Sequence, residues 1–491
     1  MKDIFINVNE DAIYPSSQFN YNPDIAYPEY MWGFSDISNK KNIVYEMVRN
    51  CLIGLNMDAS NFNTKKWNPF CDLIKEGDTV VIKPNWVMHY NKNIKIIENS
   101  LECLVTHPSI VRAVTDYCLI ALHGTGRIII GDAPMQGCDL DSLIEKSGYM
   151  QLFDFYNQHS INIQPCDFRQ FSTIVDQNKV LLGRKYNSGE VLEVELGSKS
   201  KFFSKIQVPK QYIVSDYNKK VTNNYHHDDR HSYLISKKVL SANVVINLCK
   251  PKCHRLAGMT GAVKNIVGIT YDKACLPHRT SGSKQKGGDE YLYDSLIKKM
   301  ISRVLDLKLS FEEQKKFRLS LLMRYLYGFL YHLMKVISKD KYLIGSWHGN
   351  DTIWRSALDL YYILLYADAN GIVQDNRQRI VFNLADMIIS GERNGPVSPE
   401  PKKLGIILAG NDAVMMDRLV CEIMGFDNSK VPAVYNAIND SKLIQEDEHD
   451  CLFKSNLTEF NGKKLSELQF PQKWRFKPYD TWKGFIEKKN Q

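Results

Sequence analysis

The sequence lacks most of the short signatures that assign a function. Its eleven cysteines form no ferredoxin-like run and no pair of Cys-x-x-Cys motifs, so neither an iron–sulfur module nor a zinc ribbon is expected. No dinucleotide fingerprint, phosphate-binding loop or nucleophile elbow occurs. No stretch approaches the ~20 apolar residues that span a bilayer; the nearest, 325–334, is closed by Arg324 and Lys335. The opening Met1-Lys2-Asp3-Ile4-Phe5 holds an early acid and no apolar run, so no export signal is expected. Scattered cysteines without such a signal imply reduced thiols and a cytoplasmic location. Charge of one sign is scarce too. With 63 basic and 55 acidic residues the excess is only +8, and no basic stripe carries interleaved aromatics, so no nucleic-acid partner is expected.

What is present reads as an ordinary globular chain, 44% hydrophobic and 24% charged, long enough for two or three domains. Apolar runs at 79–83, 127–131, 242–248 and 404–409 predict buried strands of one mainly parallel sheet. Between the first two, Thr106-His107-Pro108 opens a helix that Gly124 closes. Strand alternating with helix predicts an α/β fold, a mainly parallel open sheet with helices on both faces. A glycine-punctuated helix is expected from about 259 to 267. The polar stretch 168–233 predicts an irregular excursion with antiparallel strands, such as one at 191–194. Residues 311–340 predict one long amphipathic helix, an insertion packed on the core, with docking on a partner or a membrane surface as the alternative. The expected organisation is an irregular segment 1–70, a core shared by 71–300 and 380–430, a helical insertion 301–350 and an aromatic C-terminal strap 431–491.

In open α/β sheets ligands bind beyond the carboxyl ends of the strands. Polar residues directly after the strands are therefore the first candidates: Lys83 and Asn85, Asp132, then Lys250, Lys252 and His254, and Asp412. All would share one end if every strand is parallel. The richest piece is Lys250-Pro251-Lys252-Cys253-His254, followed by Gly261-Ala262-Val263-Lys264-Asn265. Lysines supply point charge and helix N-terminal amides supply donors, which together suit an anion. Lys264 stands in a small, apolar run, where an unpaired ammonium is costly. It needs either an acidic partner or a ligand, and the two readings stay open. Cys249 and Cys253 beside His254 are not expected to hold a metal, and His226, His227 and His231 read as a polar loop on an exposed edge. Further along, His278 and Arg279 precede Gly287-Gly288-Asp289, and Asn350-Asp351 lead to Arg355. Asp351 suits an N-cap and Asp412 a helix dipole, but His348, Asn350, Asp351 and Arg355 together exceed what a cap needs.

Taken in order, Lys83-Pro84-Asn85, Thr106-His107-Pro108, Gly131-Asp132-Ala133-Pro134, Asn247 through His254, Thr260 through Asn265, Gly391 through Pro396 and Gly410 through Asp417 resemble the family catalogued as domain of unknown function 362. Some members of that family carry a ferredoxin-like cysteine run, which this chain does not. With His278-Arg279, Gly287-Gly288-Asp289 and Gly349-Asn350-Asp351, the chain resembles the branch found beside bacterial surface-polysaccharide genes. That resemblance implies a role in making a cell-surface glycan.

The expected function is an enzyme acting on a small carboxylate- or phosphate-bearing metabolite, such as a sugar acid or nucleotide sugar. His254, His278 and Lys264 are the catalytic candidates, histidine because it titrates near neutrality. Lys83, Asn85, Lys250, Lys252, Asn265, Arg279, Asn350 and Arg355 would bind substrate. Asp132, Asp289, Asp351 and Asp412 would orient these groups or hold a divalent cation. No cofactor is assigned. A non-catalytic ligand-binding protein of glycan machinery is the alternative, and a metal or redox protein a third reading.

Overall fold

A computed structural model describes residues 3–93, 101–175, 181–203, 212–215, 217–338, 340–444 and 452–489. Its centre is a ten-stranded sheet. The strands are β1 (Ile4–Val8), β2 (Thr79–Lys83), β3 (Arg127–Asp132), β4 (Pro165–Asp167), β5 (Val244–Cys249), β6 (Lys252–His254), β7 (Gly258–Thr260), β8 (Ile380–Asn394), β9 (Ser398–Gly410) and β10 (Phe453–Ser455). They lie in the order β10-β1-β9-β8-β5-β2-β3-β4, with β6 and β7 attached beside β8.

Side-chain alternation along the strands divides the core in two. Val81, Ile129 and Val245 face one hydrophobic cluster. Their neighbours Val80, Ile82, Ile128, Ile130, Val244 and Ile246 face the other. Helices α1 (Ile43–Gly54) and α2 (Pro108–Leu122) cover the second face. The first is covered by α6 (Ile353–Tyr366) and α7 (Ala413–Met424). Between these pairs in chain order come α3 (Ala262–Asn265), α4 (Leu296–Glu313) and α5 (Phe317–Ile337). Burial on both faces is why the strands are unbroken Val/Ile runs rather than alternating ones.

The apolar run at 404–409 does join this sheet, but as part of β9, which runs antiparallel to β8 with Asn383 opposite Gly410. Neighbours β8, β5, β2, β3 and β4 are all parallel. Segment 1–70, expected to be irregular, supplies β1, which pairs with β9, and α1. The helix expected at 259–267 is instead β7, the short α3 and a 3-10 turn, because Gly258 to Gly261 extend before Ala262 starts the helix. The single helix expected over 311–340 is two, α4 and α5, broken at Lys315 with φ 58°. The antiparallel excursion is present, with Val191–Glu195 pairing Arg230–Ser236. His226 and His231, expected at an exposed edge, are buried within that region, and His226 Nε2 meets the Cys275 carbonyl at 2.7 Å. Of the C-terminal aromatics, Trp474, Phe476 and Trp482 are buried in the first hydrophobic cluster, and Trp482 Nε1 donates to the Arg255 carbonyl.

Candidate functional site

Strands β2 and β3 end side by side on Lys83 and Asp132. The lysine Nζ donates to Asp132 Oδ1 at 2.7 Å, with both side chains buried. Asp132 also accepts from the backbone N–H groups of Trp86 and Ala133. A Cβ at Gly268 would sit 1.8 Å from Asp132 Oδ1 and 2.6 Å from Lys83 Nζ, so only glycine lets this turn close over the pair. The pair thereby becomes the floor of a cleft rather than a free ligand set.

Beside it a chain of amides crosses the sheet. Lys252 Nζ donates to Asn85 Oδ1 and to the Leu104 carbonyl. Asn85 Nδ2 donates to Asn265 Oδ1, Asn265 Nδ2 to Asn247 Oδ1, and Asn247 Nδ2 to Asn383 Oδ1. A lysine can only donate, so its contact sets the direction of every amide behind it. Burial, reinforced by Lys250, pushes the Lys252 ammonium down to about 7.

Above this floor, the cleft of about 180 Å³ is lined by Asn85, Asp132, Lys252, His254, Lys264 and His278, joined by Arg255 and Lys273. Asp132 is the one carboxylate among its described lining residues, and Lys83 already holds it. Lys264, partly exposed to the cleft, makes no ion pair or hydrogen bond among the described residues. Desolvation alone lowers its ammonium to about 8. Lys273 donates to the carbonyls of Ala133 and Pro134, and burial lowers it to about 7.

The two histidines differ in tautomer. His254 Nδ1 accepts from the backbone N–H groups of Leu256 and Ala257, so in the neutral ring the proton is on Nε2. His278 Nδ1 lies 2.8 Å from the Leu276 carbonyl, which can only accept, so the proton is on Nδ1 and Nε2 is bare. Burial first, and the Lys264 charge next, depress both, His278 to about 3. At neutral pH one ring offers a donor and the other a base.

The structure does not bring every candidate here. Lys250, beyond the break at Pro251, pairs at 3.0 Å with Asp386 and donates to Tyr14 Oη. Arg279 pairs with Glu290 at 2.9 Å. Asp289 accepts from the Thr280 and Asp351 N–H groups and from the Thr352 hydroxyl. The N-cap of α6 is Thr352 rather than Asp351; Asn350 Oδ1 accepts from the Thr352 and Ile353 N–H groups, and its Nδ2 donates to the His278 carbonyl. Arg355 pairs with Asp351. Asn350, Arg279 and Asp289 thereby fasten the segment 278–280.

Asp412 was expected at the cleft end of the sheet. Because β9 is antiparallel, it lies at the opposite end and caps α7. The carboxylate that reaches the glycine-rich segment is Asp417, which accepts from the Ala262 and Val263 N–H groups. A Cβ at Gly261 would collide with it at 2.1 Å. Sequence reasoning gave no role to Arg255, next to His254, and assigned none to Lys273, five residues before His278 in the loop it had singled out; both line the cleft. Among the described residues no group of three His, Cys, Asp or Glu side chains is arranged to hold a metal ion.

The model for a family described as a domain of unknown function (DUF362) matches residues 80–195 and 199–422. No curated protein matches the chain. Among solved structures, a crystal structure of a protein from Thermotoga maritima is similar at 10% identity and a TM-score of 0.28. The similarity covers 74% of this chain, which spans about half (54%) of that neighbour.

Proposed function

The chain belongs to the family described as a domain of unknown function (DUF362), and on that premise we propose that it is a cytoplasmic enzyme binding a small carboxylate- or phosphate-bearing metabolite at the carboxyl ends of β2 and β3. The observation that carries this is Lys264, a cation set among other cations and histidines with no acid to meet it. Such a cluster repels itself unless an anion arrives. A cavity of about 180 Å³ favours a compact anionic group such as a sugar acid. A second groove shares Met135, Gln136 and Tyr217 with it and gives room for the rest of a longer molecule, such as a nucleotide sugar of cell-surface glycan synthesis.

Lys264 and Lys273 hold the anion, and Lys252 with the Asn85–Asn265 amides fixes the floor. His254 Nε2–H donates to the oxygen where charge collects, and the bare His278 Nε2 accepts a hydrogen bond from a hydroxyl of the bound molecule. The test is thermal unfolding with inorganic phosphate and with glucuronate, on the wild type and on Lys264→Met. Stabilisation by either anion, lost in the variant, supports the reading. A wild type that neither anion stabilises sinks it.

A further inference from the structure

Helix α5 carries a broad apolar surface, and only part of it is buried. Leu330 and Met334 pack with Ile301, Val304 and Leu343 into a small cluster separate from the two main cores. Alongside it Leu319, Leu322, Tyr325, Leu326, Phe329, Leu333, Val336 and Ile337 are all exposed, Tyr325 at 69% and Val336 at 82%. At 100° per residue these eight fall within one stripe about 120° wide. A continuous exposed apolar face of this kind marks an interaction surface.

We propose that this face docks on an anionic lipid surface. Charge decides between occupants. From Gln314 to Ser338 the sequence contains no Asp or Glu; Arg318 is exposed on the stripe, and Lys315 and Lys316 are exposed just before the helix begins. A second copy of the same face would set these cations against one another with no acid from the segment to pair them. An anionic headgroup layer supplies the missing charge, and Tyr325 and Phe329 suit its boundary with the acyl chains. No helix of the described residues is long and apolar enough to cross a membrane, so α5 would lie in the interface plane.

The surface stands independently of the cleft. Flotation of the full chain with vesicles of phosphatidylcholine, alone or with phosphatidylglycerol, tests it directly. The wild type is expected to float with the mixed vesicles and to be released by salt. Phe329→Glu, at an exposed position, should abolish flotation without moving the melting transition. Arg318→Glu should weaken binding at least about fivefold, from ~1 kcal/mol per basic residue. Lys264→Met should float like the wild type whatever it does to anion binding. Failure to bind mixed vesicles at low salt overturns the proposal. So does undiminished binding by Phe329→Glu, or a dimer in sedimentation that this substitution dissociates.

Discussion

Lysine occupies three electrostatic situations within the cleft, and each predicts a different response to mutation. Lys83 is buried against Asp132, which also takes two backbone N–H groups. Lys83→Met strands that carboxylate, so we expect a loss of about 3–5 kcal/mol in chemical denaturation. Lys252 spends its protons on a carbonyl and an amide. Lys252→Met should cost about 1–3 kcal/mol by leaving them unmet. Lys264 has neither kind of partner, and its folded-state value is lowered from 10.5 to about 8. A lowered lysine is a penalty that is full below about pH 8 and relieved as pH rises toward 10.5. Lys264→Met should therefore raise stability at neutral pH, by about 1 kcal/mol once solvent contact is allowed for. A loss of several kcal/mol in this variant would mean that the amine has a structural partner.

At the scale of elements, the helical hairpin behaves as an appendage with its own core. Met334→Ala removes a buried side chain from that small cluster and should cost about 2–5 kcal/mol locally. Hydrogen exchange should then quicken across Leu296–Glu313 and Phe317–Ile337 while the sheet amides stay protected. Equal loosening of β2 and β3 would contradict this independence. The same elements show what was legible in advance. Buried Val/Ile runs identified β2, β3 and β5 because burial on both faces leaves no alternation to misread. Direction is another matter. Nothing in 404–409 marks β9 as antiparallel, since its partner is chosen by the turn after Gly395, and with that direction went the placing of Asp412. The break between α4 and α5 falls at a lysine with positive φ, where no glycine or proline advertises a stop. At the cleft, Asn85, Asp132, Lys252, His254, Lys264 and Asn265, with Lys83 behind Asp132, stood out because they follow strands or start the glycine-rich segment, and His278 because of its loop's composition. Arg279, Asp289, Asn350, Asp351 and Arg355 share that composition, but pair among themselves or with Glu290 and the backbone. Residue type alone could not separate residues that pair among themselves from residues that line the cleft.

Over the whole molecule, the sheet gathers cations at one end faster than it supplies acids, and the result is a site whose charge is pH-dependent near neutrality. Free lysine keeps its proton to about pH 10. Here burial brings Lys252 and Lys273 down to about 7 and Lys264 to about 8. The empty cleft thus loses positive charge across a range where an exposed basic patch would lose none. A bound anion favours the protonated amines, so binding should take up protons, and affinity should fall as pH rises from about 7 to about 9. The limiting slope is about tenfold per pH unit for each proton coupled to binding. Glucuronate is the suitable probe, because its carboxylate does not titrate in this range as phosphate does. Calorimetry in buffers of different ionisation enthalpy would count the protons, and Lys264→Met should reduce the count. Affinity that is flat with pH up to the range of free lysine would show that these amines do not hold the anion, and would leave the cleft without its binding chemistry.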